Sequence, residues 1–231
     1  MVPRFFTAAY LERVILRDGS TAVLRLVTPG DKELLRHEFE RWSPESRYAR
    51  FLAPKQSLTA HELDYLCVLD QETHFAIAAV AEVPGVDGAG DGATVGLGVA
   101  RFIQLPTAPL EPVTAEAAIA VADHAHRKGI GQLLLMRLCA AAAERDIERF
   151  RCEVLVENVS MQELINVIAP THTTATRDGI LTIDFTIDAF APDQPLAHPT
   201  QHGSLSRFLR AAAGNTVEWT EAVRRLWRHD R

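Results

Sequence analysis

One acidic residue and one basic glycine turn carry the chemistry legible in this 231-residue sequence. Glu116 opens the stretch EAAIAVADHAHRKGIGQLL, and residues 117–122 are apolar and aliphatic enough to form a buried strand. His126-Arg127-Lys128-Gly129-Ile130-Gly131 follows and leads into a helical pattern. A helix start leaves amides without partners, its dipole favours negative charge, and glycine lets an anion approach the backbone. Arg127 and Lys128 add positive charge there. A bound phosphate is one reading of this turn, and a tight strand-to-helix connection without a ligand is the other. Glu116, one strand away, could take a proton from a substrate, or could simply sit on the surface at the strand's start.

Two other phosphate-binding patterns fit less well. A dinucleotide fingerprint needs a third glycine where Leu134 stands, and no acidic ribose partner is obvious downstream. A Gly-Lys-Ser/Thr phosphate loop is absent.

The elements that must hold these groups read as follows. Residues 12–27 form a hairpin around Asp18-Gly19. Thr28-Pro29-Gly30-Asp31, Ser43-Pro44-Glu45 and Thr59-Ala60-His61-Glu62 carry helix-start signatures, the last with capping-box spacing. Strands are expected over 74–83 and 94–105, where Gly96 and Gly98 signal a bulge or a close backbone approach. PGVDGAGDGA between them reads as a hairpin tip. Ile130, Leu134, Leu138 and Ala141 make a core-facing helical stripe, and 150–156 returns as a strand. A short helix capped by Asn158 or Ser160 follows, then a hairpin over 171–187 turning at Asp178-Gly179.

The stretch at 126–131 resembles motif A of the GNAT N-acetyltransferases, Gln/Arg-x-x-Gly-x-Gly/Ala. Gly129 and Gly131 match, and His126 stands where the family usually has Gln or Arg. LRDGSTAVLRLVTPGD, WSPESRYARFL and EVLVENVSM extend the resemblance over most of residues 12–188. Together they are most similar to the GNAT domains of bacterial protein lysine acetyltransferases that modify acyl-CoA synthetases. The resemblance implies an α/β fold with a mixed, mostly antiparallel sheet flanked by helices, and acetyl-CoA as co-substrate without a metal. It implies that His126, Arg127, Lys128, Gly129, Ile130, Gly131 and Gln132 surround the coenzyme's diphosphate. Backbone N–H groups of Ile119, Ala120 and Val121 would meet the thioester oxygen, and Asn158 and Ser160 would lie along the pantetheine arm. Glu116 would be the general base of a direct transfer in a ternary complex. The wall of the acceptor site would include Arg47, Tyr48, Arg50 and Phe51, although Tyr48 and Phe51 could equally pack inward.

A protein lysine is the preferred acceptor on this resemblance. A small-molecule amine, or a non-catalytic acyl-CoA-binding regulator, are the alternatives. Two departures stand out. Many relatives use a tyrosine after the later strand to protonate the thiolate, and none lies there; Ile168-Ala169-Pro170 stands where relatives commonly show Gly-Phe.

Composition sets the outer bounds. Hydrophobic residues make up 47% and charged residues 23%, ordinary for a globular core, and the net charge of -6 argues against a general nucleic-acid binder. Cys67, Cys139 and Cys152 lack metal-ligand spacing and read as buried reduced thiols. Neither a signal peptide nor a bilayer-spanning segment is expected, so a cytoplasmic setting fits. The domain should end near residue 190, followed by a linker over 191–203 and a helical tail over 204–231. That tail is expected to dock on its own domain or on a second subunit, as in a homodimer, with partner binding as the other reading.

Overall fold

The computed structural model describes residues 4–44, 46–47, 55–83 and 93–187. The strands are β1 (Leu11–Ile15), β2 (Thr21–Leu26), β3 (His74–Val83), β4 (Ala93–Gln104), β5 (Thr114–Val121), β6 (Arg149–Leu155), β7 (Thr173–Arg177) and β8 (Ile180–Thr186). The helices are α1 (Lys32–Arg41), α2 (Ala60–Cys67), α3 (Ile130–Ala143) and α4 (Val159–Ile168). The strands form one sheet in the order β1-β2-β3-β4-β5-β6-β8-β7, antiparallel throughout except between β5 and β6. This is the expected mixed α/β architecture. The expected linker and tail, most of the 84–93 loop, and Tyr48, Arg50 and Phe51 lie outside the described residues.

Local chemistry accounts for several element ends. Asp18-Gly19 turns the first hairpin with Gly19 at φ 82, and Asp178-Gly179 turns the last with φ 52 and 77. Thr59 and Glu62 form the expected capping box: the Thr59 hydroxyl accepts from Glu62 N–H at 3.2 Å and the Glu62 carboxylate accepts from Thr59 N–H at 2.7 Å. Ahead of α1 the chain first makes a 3-10 turn, Pro29–Asp31, in which the Asp31 carboxylate accepts from Thr28 N–H at 2.7 Å.

The sheet separates two apolar clusters. α3 covers one face, meeting Ala115, Ala117, Ile119 and Val121 of β5. α1 and α2 cover the other, where Ala120 lies with Phe39, Trp42, Leu63 and Leu66. Ile130, Leu134, Leu135 and Leu138 of α3 are fully buried, each contributing about 1.5–3 kcal/mol relative to exposure. Gly98 lets this helix sit close to the sheet. A Cβ there would meet the Ala120 carbonyl oxygen at 2.7 Å, Leu134 Cδ1 at 3.1 Å and Ile130 Cγ2 at 3.2 Å. Both signals read in this strand are realised, since β3 and β4 also shift register between Ala79 and Val80, opposite Gly98 and Gly96.

Candidate active site

The sheet opens at its one parallel pair. β5 and β6 pair only at Thr114↔Arg149, Ala115↔Phe150 and Glu116↔Arg151, whereas β4 follows β5 as far as Val121. Ala122 N–H donates to the Leu97 carbonyl at 2.9 Å, and Leu105 N–H to the Thr114 carbonyl at 2.8 Å. Strand alternation therefore turns the peptide groups of residues 114, 116, 118, 120 and 122 toward β4. Those of Ala117, Ile119 and Val121 face the gap, where no strand meets them among the described residues. Backbone groups inside a fold call for partners, and an extended ligand carrying its own amides could supply them.

At the far end of this gap lies the basic turn. The His126 imidazole Nε2 is 3.0 Å from the Val121 carbonyl oxygen, which fixes the turn to the strand end. Arg127 and Gly129 both have positive φ, 65 and 85, a backbone arrangement of the kind that aims successive N–H groups at an anion. Gly129 is the N-cap of α3 and no side chain caps it; the first helical bond runs from Leu133 N–H to the Gly129 carbonyl at 3.1 Å. The N–H groups of Ile130, Gly131 and Gln132 thus have no intrahelical partner. A Cβ on Gly131 would lie 3.5 Å from Leu164 and 3.7 Å from Val121, so this glycine faces α4 and the mouth of the gap.

The first hairpin braces the turn from the other side. Arg17 N–H donates to the Lys128 carbonyl at 3.2 Å, and its guanidinium donates to Gln132 Oε1 at 3.0 Å. Lys128 Nζ stands 3.0 Å from the Asp18 carboxylate, which Ser20 and Lys128 hold down at about 2. Asp123, in the 3-10 turn leaving β5, accepts from Ser43 N–H at 3.1 Å and from the Ser46 hydroxyl at 2.8 Å. The segment after α1 is thereby tied to the turn.

Asn158, three residues beyond the end of β6, combines two roles. Its Oδ1 accepts from Met161 N–H at 3.2 Å, capping α4. Its Nδ2 is buried with no hydrogen-bond partner among the described residues. A buried donor left over in this way is uncommon and marks a place for an acceptor.

Glu116 stands where the two strands part, and alternation sends its side chain to the α1/α2 face, only 2% exposed. Arg151 is in register with it on β6, and Arg101, opposite Ala118 on β4, is a diagonal neighbour. Arg101 is buried and donates to the Leu66 carbonyl at 3.1 Å and to His74 Nε2 at 3.2 Å. A guanidinium can only donate, so His74 Nε2 is the acceptor in this pair. Burial, then the Arg101 charge, push His74 down to about 4, which makes it neutral near pH 7. Arg101 itself is pushed to about 10 by burial and remains a cation there. The Tyr65 ring packs 4.9 Å from His74; its phenol is raised by burial first, with the Glu116 charge adding to the shift and Arg101 opposing it.

The chain is similar to known proteins. The profile of the Acetyltransferase (GNAT) family matches residues 32–166, more than half of the chain. The chain belongs to the GNAT acetyltransferase family. Acetyltransferase Pat of Mycolicibacterium smegmatis is 29% identical over 153 residues, which are 66% of this chain and 42% of that protein. This GNAT chain therefore spans less than half the length of that curated relative. The GNAT domain of S. lividans PAT, 29% identical, superposes with a TM-score of 0.65 over 78% of this chain and 99% of its own. The yncA protein of Salmonella typhimurium, solved with acetyl-CoA, shares the fold at 14% identity and a TM-score of 0.54, over 72% of this chain and 94% of its own.

Within this GNAT frame the expected residues divide. Ile119 and Val121 turn their peptide groups into the gap, whereas that of Ala120 faces β4. His126, Arg127, Lys128, Gly129, Ile130, Gly131 and Gln132 all form the turn, but Gln132 and Lys128 also face the hairpin, and the Ile130 side chain is core. Ser160 is the second residue of α4. Arg47 donates to the carbonyls of Glu40 and Gln56, at 2.6 and 3.1 Å, which fixes it to backbone. Tyr65, His74 and Arg101 were missed as companions of Glu116. The only local signals were one arginine in an apolar strand and one tyrosine in a short helix. Among the described residues no group of three His, Cys, Asp or Glu side chains could hold a metal ion, and no helix is long and apolar enough to cross a membrane. The three cysteines are buried and unlinked.

Proposed function

We propose that the chain is an acetyl-CoA-dependent N-acetyltransferase that acetylates a primary amine directly, with Glu116 as general base. One observation carries this reading: amides without a partner among the described residues at the α3 start and a carboxylate at the strand fork lie at opposite ends of one gap. From Val121 to Glu116 is five residues of strand, about 17 Å at the rise of a β-strand. A pantetheine arm has about thirteen bonds from phosphorus to sulfur, the length of somewhat more than four residues, about 15 Å extended. A diphosphate on the N–H groups of residues 130–132 would set the sulfur near Glu116. The gap-facing peptide groups of Ala117 and Ile119, and the spare buried Nδ2 of Asn158, would serve as partners for the arm's amides.

Acetyl-CoA brings an activated thioester; the protein must position it, receive a proton and stabilise developing charge. A lysine-type amine has an ordinary pKa of about 10.4 and is almost wholly ammonium near pH 7, so a carboxylate must accept its proton. Glu116, on the opposite sheet face from α3, is placed for an amine that enters between the sheet and the α1/α2 layer, directly or through a water. An N–H of Ala117 or Ile119 is suited to the oxygen that gains charge during transfer. A departing thiolate, with a pKa of about 8.5, can leave without a dedicated acid.

A protein lysine is the preferred acceptor. An almost wholly apolar recess of about 70 Å³, lined by Leu35, Trp42, Leu66, Gly98, Arg101 and Ala120, lies on the same face and suits a methylene stem. The test is coenzyme thiol release with lysine peptides, polyamines and aminoglycosides as acceptors. Release that needs an amine and is lost in Glu116→Gln supports the enzyme. Tight coenzyme binding without turnover on any amine would leave a non-catalytic binder.

A further inference from the structure

A second concavity lies on the outer side of α3. It is a recess of about 300 Å³ between the helix and β1, with Val14, Ile15, Leu133 and Met136 supplying apolar walls. Arg13, Arg17, Lys128 and Arg137 also line it, and among the described residues no carboxylate does. Glu12 and Asp18 stand outside the lining and pair with two of these four cations, which leaves the recess a surplus of positive charge. Glu12 bonds Arg137 at 2.6 and 2.7 Å, and Asp18 stands 3.0 Å from Lys128. Helix geometry separates this recess from the coenzyme gap. At 100° per residue, Gly129, Gln132, Leu133 and Met136 share one side of α3, and Gly131, which faces Val121 and Leu164, lies on roughly the opposite side. The outer edge of β1, the first strand of the sheet, bounds the recess and leaves Ile15 77% exposed.

We infer that this recess is a second ligand site, for a small organic anion in which a phosphate- or carboxylate-type group is carried on an apolar body. Its volume is at the lower end of the range for small-molecule sites, its walls are apolar, and its four cations outnumber the two carboxylates paired with them. Arginine forks suit such oxyanions, and a low-dielectric wall strengthens their pull. The recess shares Lys128, Gly129 and Gln132 with the basic turn. An occupant therefore touches the segment that grips the coenzyme diphosphate, and the two ligands change each other's affinity by the same factor. This inference does not depend on catalysis by Glu116.

The probe is 1-anilinonaphthalene-8-sulfonate, an anion on an apolar body, titrated by fluorescence into the full chain with and without saturating CoA. One probe molecule is expected to stay bound in the presence of CoA, with its affinity changed at least threefold and the affinity for CoA changed equally by the probe. Arg13→Glu should weaken the probe about tenfold, and Met136→Trp, which fills the recess, should abolish this binding. Both variants should melt cooperatively and bind CoA within about twofold of the parent. Stoichiometric displacement of the probe by CoA would overturn the inference, because the recess would then be part of the coenzyme site. Probe binding that survives both substitutions would overturn it as well, and affinities that ignore each other would remove the coupling.

Discussion

Replacing Asn158 with serine separates its two atoms. Ser keeps an oxygen to cap α4, in place of the Oδ1 that meets Met161 N–H at 3.2 Å, but has no counterpart to the buried Nδ2. An unsatisfied buried donor costs about 1–3 kcal/mol, so Asn158→Ser should leave the coenzyme-free protein as stable as the parent or more so. If Nδ2 donates to the coenzyme arm, one neutral hydrogen bond is lost, about 0.5–1.5 kcal/mol, or about 2- to 13-fold in CoA affinity. Asn158→Ala removes the cap as well, and should cost about 1 kcal/mol of stability, or about 2–4 °C in a domain of this size. Calorimetric CoA titration and thermal melts of the three proteins without ligand read both quantities. A serine variant that binds CoA as well as the parent does would show the residue to be a helix cap and nothing more. A serine variant that melts as low as alanine would refute the cap assignment.

Other expected outcomes follow from the same geometry. Glu116→Gln should lower kcat by about 10²- to 10⁴-fold while CoA affinity stays within about twofold, read by thiol release and by equilibrium titration. Gly98→Ala, whose Cβ would lie 2.7 Å from the Ala120 carbonyl, should destabilise the fold by about 1–3 kcal/mol in urea denaturation. His74 is depressed from its ordinary 6.5 to about 4, so the unfolded chain binds more protons between these values. Its contribution is fully present above pH 6.5 and is lost as pH falls toward 4, about 2 kcal/mol between pH 8 and pH 5. Denaturation midpoints of His74→Asn should show a correspondingly smaller fall across that interval.

What could be read in advance followed the range of the interactions involved. Asp18-Gly19, Asp178-Gly179 and the Thr59–Glu62 box act within a few residues, so the residues that make them stand side by side in the sequence. The basic turn is equally local, and its two left-handed positions fall at Arg127 and Gly129, only the second of which is a glycine. Asn158 was legible as a cap or as a ligand donor, and the structure lets one amide serve as the first while leaving a donor over for the second. The fork between β5 and β6 was not legible, because it depends on how strands paired 35 positions apart stay in register for three pairs and then diverge. The Tyr65–His74–Arg101 cluster was hidden for the same reason. Arg101 is buried by helices far from it in sequence, and nothing beside it in an apolar strand signals a hydrogen-bonded guanidinium.

The fork also bears on how long the protein lasts. A pantetheine arm is itself an extended diamide, and in the proposed complex it would stand in for a missing ninth strand, completing a ladder that the polypeptide leaves half-built. Coenzyme supply would then govern the survival of the folded chain as well as its turnover, since anything that binds only the native state holds it folded in proportion to its concentration. A cell starved of acyl-CoA would be expected to lose the enzyme along with its substrate.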